Sequence, residues 1–236
     1  MENVFTFWEG PMPAYIRLCM ETWRGPYKII VLNYKNIYAY TEFDVERAKR
    51  FTLPQIADCV RAHVLRDNGG YWLDADTIML SDELPKENMI GNPQSRTNTI
   101  GFLHIEANSD MYKQWAEHQD RVIADPNSTR NWDVMGNAFT DLYVRAHEDI
   151  TIAPVAMCWP ETYMVQGTMP RNRKYQKFYF EQHHHLKDLL PTKMLMLHNS
   201  WTPDWYKCMT EEDILTNIAS ASTMSNILKE VLCDTL

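Results

Sequence analysis

Asp74 and Asp76 stand two apart in a stretch that is otherwise apolar. Tyr71-Trp72-Leu73 precedes them and Thr77-Ile78-Met79-Leu80 follows, so two carboxylates interrupt what reads as an inner strand and its continuation. On an extended strand, residues two apart face one side, and such oxygen ligands suit magnesium or manganese together with phosphate oxygens. In a turn, one carboxylate binds an ion directly and the other through water, or the pair merely caps the turn. Asp-x-Asp alone leaves these readings open.

A second pair lies upstream. Asp58 and Arg61 fall about one turn apart on one face of the helix that opens near Pro54, so they either address one ligand together or form an intrahelical ion pair. Asn131 and Asp133 precede an apolar helical pattern, where they serve as caps or as substrate contacts. His183-His184-His185 is a run in which neighbours point in different directions on a helix or strand, so it reads as structural or surface.

These residues need a scaffold. Val4 to Trp8 reads as a first strand stopped by Glu9-Gly10-Pro11. Ile16, Cys19, Met20 and Trp23 form a helical stripe closed by Gly25-Pro26, and Tyr27 to Leu32 supplies a second strand. Strand, helix and strand within about thirty residues signal a parallel βαβ unit, whose ligands sit beyond the strand ends. Ile56, Val60, His63 and Val64 mark a helix ended by Asn68-Gly69-Gly70, and the strand at Tyr71 enters at once. Farther on, the pattern predicts a strand over 99–105 and helices over 109–123 and 134–146. It then predicts strands over 151–158 and 194–197, and helices over 211–215 and 225–232. Residues 169–180, with Arg171, Arg173, Lys174 and Lys177 among aromatics, read as a solvated loop or an acceptor contact.

Composition narrows the function. A chain of 236 residues with 45% hydrophobic content is long enough for a substantial core. The formal charge of −8 argues against a nucleic-acid role, while a divalent cation held by carboxylates still permits a nucleoside diphosphate. Five scattered cysteines without a CxxC pair fit reduced thiols. No run of eighteen apolar residues occurs and the opening residues do not read as a signal segment, so the expectation is a cytoplasmic protein with no transmembrane segment, peripheral at a membrane at most.

The run from Asp58-Cys59-Val60-Arg61 through Asn68-Gly69-Gly70-Tyr71-Trp72-Leu73-Asp74-Ala75-Asp76 resembles the sugar-binding region, bearing the DXD motif, of one glycosyltransferase family. That family comprises capsular polysaccharide transferases, yeast mannosyltransferases and large clostridial glucosylating toxins. Acid, arginine, paired glycine, aromatic and DXD occur here in its order. Phe7-Trp8-Glu9-Gly10 and Leu197-His198-Asn199-Ser200-Trp201 extend the likeness, while Gly136-Asn137 stands where the family commonly has Gly-Pro.

The resemblance implies an α/β protein with the A-type nucleotide-sugar glycosyltransferase fold, a single Rossmann-like domain with a mixed central sheet. The catalytic domain would span 1–209, with a C-terminal helical extension over 210–236. The implied reaction is metal-dependent transfer of a hexose or deoxyhexose from a nucleotide-diphosphate sugar to a glycan or other hydroxyl acceptor, as in polysaccharide biosynthesis. UDP is the favoured nucleotide, manganese (Mn2+) the favoured metal ahead of magnesium, and retention is slightly favoured over inversion. Asp58 and Arg61 would contact the transferred sugar, and Asp76 would ligate the metal. Asp74 would touch ribose, sugar or a metal-bound water. Trp8 would stack on the base, His198 or Ser200 would complete the metal shell, and Trp201 would cover the diphosphate. Asp133 would contact the acceptor or reacting sugar, with Asn98 a further sugar contact. The alternatives are a nucleotide-sugar hydrolase and a non-catalytic sugar-nucleotide-binding module, and the resemblance leaves room for a partner domain.

Overall fold

The opening residues form the strand that their β-branched and aromatic content favours: β1 spans Glu2–Phe7, and its last four residues are buried. In this computed structural model, residues 1–91, 99–128, 131–160, 169–216 and 222–233 are described. Asn98 lies outside them. The chain is an α/β fold with a mixed central sheet, and it divides into two compact units that interleave in sequence. The first comprises Met1–Gly10, Pro26–Asp74 and Pro85–Ala153; the second comprises Pro11–Gly25, Ala75–Leu84 and Pro154–Leu236.

Among the described residues the first unit holds six strands: β1, β2 (Tyr27–Leu32), β3 (Tyr71–Leu73), β5 (Met89–Gly91), β6 (Thr99–His104) and β7 (Thr151–Ile152), in the order β2-β1-β3-β6-β5-β7. β1 runs parallel to β2, with Val4 opposite Ile29, and parallel to β3, with Val4 opposite Tyr71. β6 is antiparallel to both β3 and β5, which makes the sheet mixed. Gly70 feeds the chain into β3 at φ +83°, and a Cβ there would stand 2.6 Å from the Asn3 carbonyl oxygen, so only glycine lets β3 approach β1 this closely.

Helices α2 (Val45–Ala48), α3 (Leu53–Asn68), α4 (Asp110–Ala124) and α5 (Asn137–Ala146) belong to this unit. α3 starts where Gln55 Oε1 accepts from Thr52 N at 3.1 Å, and it ends at Gly69 with φ +65°. Its buried Cys59, Val60 and Val64 join Phe5, Leu32, Trp72, Leu103 and the α4 residues Tyr112 and Trp115 in one core.

The second unit carries α1 (Ala14–Glu21) and a two-stranded sheet of β4 (Thr77–Met79) antiparallel to β8 (Met194–Met196), with Ile78 opposite Leu195. α1 is followed by residues that tie into β4: Trp23 Nε1 donates to Thr77 O at 2.7 Å, and Met79 N donates to Thr22 Oγ1 at 2.8 Å. Also here are α6 (Val155–Cys158), α7 (Arg171–Gln176), α8 (Asp204–Lys207), α9 (Glu211–Thr216) and α10 (Thr223–Cys233). His184 stacks on Phe178 with centroids 4.8 Å apart while His185 pairs with Glu230, so the histidine run shares no centre.

Residues 169–180, read from sequence as a solvated loop or an acceptor contact, instead form α7 and a helical continuation over Lys177–Glu181, with Tyr175, Phe178 and Tyr179 buried. Other readings differ as well. The helix expected from Val134 starts at Asn137, because the carbonyls of Val134 and Met135 are taken by side chains of α4. The strand expected over 151–158 stops at Ile152, where Ala153-Pro154 turns the chain into α6. β5 occupies a stretch for which no element is expected.

Candidate active site

Arg61 is the centre of the first unit's polar cluster. It lies eight residues into α3, on the side that faces the sheet, and only 4% of it is exposed. Burying a guanidinium costs free energy that its partners offset, and Arg61 is paired through its two terminal nitrogens while its buried Nε has no acceptor. Here Nη1 donates to the Ile100 carbonyl, while Nη2 lies 2.9 Å from Asp74 Oδ1 and 3.4 Å from Asp58 Oδ1. The guanidinium also stands 4.8 Å over the Trp72 ring, and Trp72 Nε1 donates to Asp74 Oδ1 at 2.9 Å.

The expected Asp58/Arg61 pair is therefore present, but Asp74, supplied from the end of β3, is the closer partner. Two carboxylates thus share one cation. Burial pushes the Asp58 carboxyl up to about 7; Arg61 pulls against that shift and the Asp74 charge adds to it. Its backbone carbonyl accepts from Gln119 Nε2 at 3.0 Å. Gly136 fits against its side chain: a Cβ there would stand 2.8 Å from Asp58 Oδ2 and 2.5 Å from Ile100 Cδ1.

Asp58 gives a sign that can be checked. Its folded pKa lies above the value of 3.8 for a free aspartate, so the native state holds the extra proton between these values. That stabilisation is complete below the lower value and is lost as pH rises through about 7. Between pH ~5.5 and ~8.5 the wild-type protein should lose about 2 kcal/mol of unfolding free energy through this group, and Asp58→Asn should lack that component. Urea unfolding across this range measures both; identical slopes would remove the protonated Asp58.

Asp133 lies in the turn before α5, where its carbonyl accepts from Gly136 N at 3.0 Å and Ala138 N at 3.2 Å. Its Oδ1 is buried with no protein donor, as is Oδ1 of Asn137. Trp8 is half-buried just past the C-terminal end of β1, where its amide donates to Leu32 O at 2.9 Å. In an open α/β sheet that strand end is where ligands bind.

The chain crosses from the first unit to the second between Asp74 and Ala75. Asp76 Oδ2 accepts from the Asn199 amide at 2.7 Å, and the Asp76 carbonyl accepts from Leu197 N at 3.1 Å, extending the β4/β8 ladder. The Asn199 side chain accepts from the Tyr15 hydroxyl at 2.5 Å. Burial, then the Asp76 charge, pushes the Tyr15 and Cys19 pKa values upward; for buried Tyr175 the same charge adds to a shift that burial dominates. Asp76 itself is half-buried, and its carboxylate is a hard oxygen donor of the kind a hard dication takes.

His198 precedes the turn Asn199–Trp201 and packs among aromatics, its ring 4.0 Å from Trp201 and 5.7 Å from Trp159 between centroids. Ser200 is exposed and Trp201 half-buried. Among the described residues, no three His, Cys, Asp or Glu side chains gather to hold a metal.

Spacing did not single out four contributors. Gln119, Gly136 and Asn137 act across long loops. Trp72 sits inside the acid-arginine-glycine-aromatic run, so its place beside Asp74 was the available signal.

Several solved structures are similar to this chain, two of them as follows. One is PaToxG Glycosyltransferase, 13% identical with a TM-score of 0.45, over 62% of this chain and 68% of that one. The other is an active-site mutant of LgtC, 12% identical with a TM-score of 0.44, over 87% of this chain and 92% of that one. No curated protein matches. No helix among the described residues is long and apolar enough to cross a membrane. The family described as capsular polysaccharide synthesis protein matches residues 1–151, more than half of the 236, and the chain belongs to that family.

Proposed function

We propose that this chain is a metal-dependent glycosyltransferase of the A-type fold, which moves a hexose or deoxyhexose from a nucleotide-diphosphate sugar to a glycan or other hydroxyl acceptor. UDP is the favoured nucleotide and retention the slightly favoured outcome. The observation that carries the reading is the buried Arg61 shared by Asp58 and Asp74, at the acid, arginine and first DXD positions of the motif. Residues 1–209 form the catalytic part in this proposal and 210–236 an extension, with a cytoplasmic or membrane-peripheral location.

Arg61 is locked by the Ile100 carbonyl and two carboxylates, so its orientation costs nothing further on binding. Asp58, ionised, accepts sugar hydroxyls; protonated, it donates one hydrogen bond. Asp74 contacts ribose, sugar or a metal-bound water, Trp8 stacks on the base, and Asp133 contacts the acceptor or reacting sugar. Ser200 and Trp201 contact the diphosphate.

Asp76, with His198 and Asp74, is the proposed holder of manganese or magnesium. Such an ion needs only one or two protein carboxylates when donor phosphates complete its shell. When bound it supplies charge stabilisation for the departing phosphate.

The test compares UDP with a UDP-sugar by calorimetry at saturating manganese. Asp58→Asn keeps the side chain's volume but loses the sugar-hydroxyl acceptor charge. It should leave UDP affinity near wild type and reduce the added affinity for the UDP-sugar about tenfold, equivalent to about 1.4 kcal/mol. An unchanged UDP-sugar to UDP ratio, with unchanged turnover per folded molecule, removes Asp58 from the sugar site.

A further inference from the structure

The turn from Asn131 to Asn137 in the first unit is held by more side-chain bonds than its exposure calls for. Gln55 Nε2 donates to Asn131 O at 2.9 Å, and the His118 ring nitrogen lies 2.9 Å from Val134 O. Trp115 Nε1 and Gln119 Nε2 both donate to Met135 O, at 2.7 and 2.6 Å. Four side chains from α3 and α4 therefore fix the turn's backbone. What this rigid turn carries is unusual: the Trp132 indole is 67% exposed, although burying it would gain more than burying almost any other side chain. Asp133 and Asn137, brought into one turn by the Asp133 carbonyl, each hold a buried side-chain oxygen to which no protein group donates. Orphaned acceptors are a standing cost that a hydroxyl donor removes.

An exposed apolar ring and two unsatisfied acceptor oxygens carried by one turn ask for a ligand with an apolar face and hydroxyl donors at its edge. A pyranose has both. Its C–H hydrogens meet the negative face of the indole, and its hydroxyls can satisfy carboxylate and amide oxygens. A lipid tail has no donors and an anion repels the carboxylate. We propose that Trp132, Asp133 and Asn137 form a platform for a sugar ring of the acceptor, so that the acceptor is itself a glycan. This rests on the transfer reading above and adds Trp132 and Asn137 to it.

The platform is tested on the full chain by saturation-transfer magnetic resonance with maltotetraose, cellotetraose and chitotetraose, alongside calorimetry with UDP. At least one tetrasaccharide should bind the wild-type protein. Trp132→Ala should weaken it about tenfold or more and Asn137→Ala by a smaller factor, with Trp132→Phe retaining part of the binding. UDP affinity and melting temperature should stay at wild-type values in all three. Equal tetrasaccharide binding in wild type and Trp132→Ala, or UDP binding with no tetrasaccharide bound by wild type, overturns the platform and leaves the donor reading standing. Tetrasaccharide binding that Trp132→Ala abolishes, in a protein that binds neither UDP nor a UDP-sugar, overturns the transferase reading and with it the assignment of the bound sugar as an acceptor.

Discussion

Asp76→Asn should turn over a nucleotide sugar about a hundredfold or more slowly than wild type at equal folded concentration, with a weakened response to added manganese. The substitution keeps the oxygen that accepts from the Asn199 amide at 2.7 Å, so the junction with the β8 end persists. What it deletes is the negative charge that reaches buried Tyr15, Cys19 and Tyr175. Manganese titrations of rate and of donor affinity, with a melting curve as control, separate loss of the ion from loss of fold. A folded variant with wild-type rate and metal dependence would end the assignment of Asp76.

The second large effect concerns stability. Arg61→Ala should cost about 3 to 5 kcal/mol of unfolding free energy, because it leaves Asp58 and Asp74 facing each other without their shared cation. The Ile100 carbonyl and the Trp72 face lose their partner in the same step. Arg61→Lys restores the charge without the planar fork, so it should recover part of that loss and less of the UDP-sugar affinity. Adding Asp58→Asn to Arg61→Ala should return stability at pH above about 7, where Asp58 would otherwise have to ionise without its counterion, and little below it, where the acid is already neutral. A single-variant loss below about 1 kcal/mol would mean that the cluster is solvated and that its electrostatics have been overstated.

Much of the scaffold was legible because short-range chemistry fixed it. Val4 to Leu32 carries strand, helix and strand in local pattern and turn residues, and the glycines at 69 and 70 mark where α3 must stop and β3 begin. The readings failed where distant atoms decided. Val134 and Met135 fit a helical stripe, yet Trp115, His118 and Gln119 capture their carbonyls and delay the helix to Asn137. β5, three residues long, has too little pattern to declare itself. In the site, the Asp58/Arg61 pair followed from helical spacing, whereas the closer Arg61/Asp74 pair depends on where β3 lies beside α3. Local sequence does not encode that placement. The burial that raises Asp58 is likewise a property of the assembled core, and no residue type announces it.

The Gln119 amide nitrogen has a consequence of its own. One atom donates both to the carbonyl of Asp58 and to that of Met135, so it works as a caliper whose two jaws close on α3 and on the turn ahead of α5. Sliding or rotating α4 would carry both jaws along, and the separation between the acid at 58 and the turn that displays Trp132 would hold. Drift in the surrounding core can therefore reposition this pair as a block while leaving its internal spacing at the setting of a single side chain.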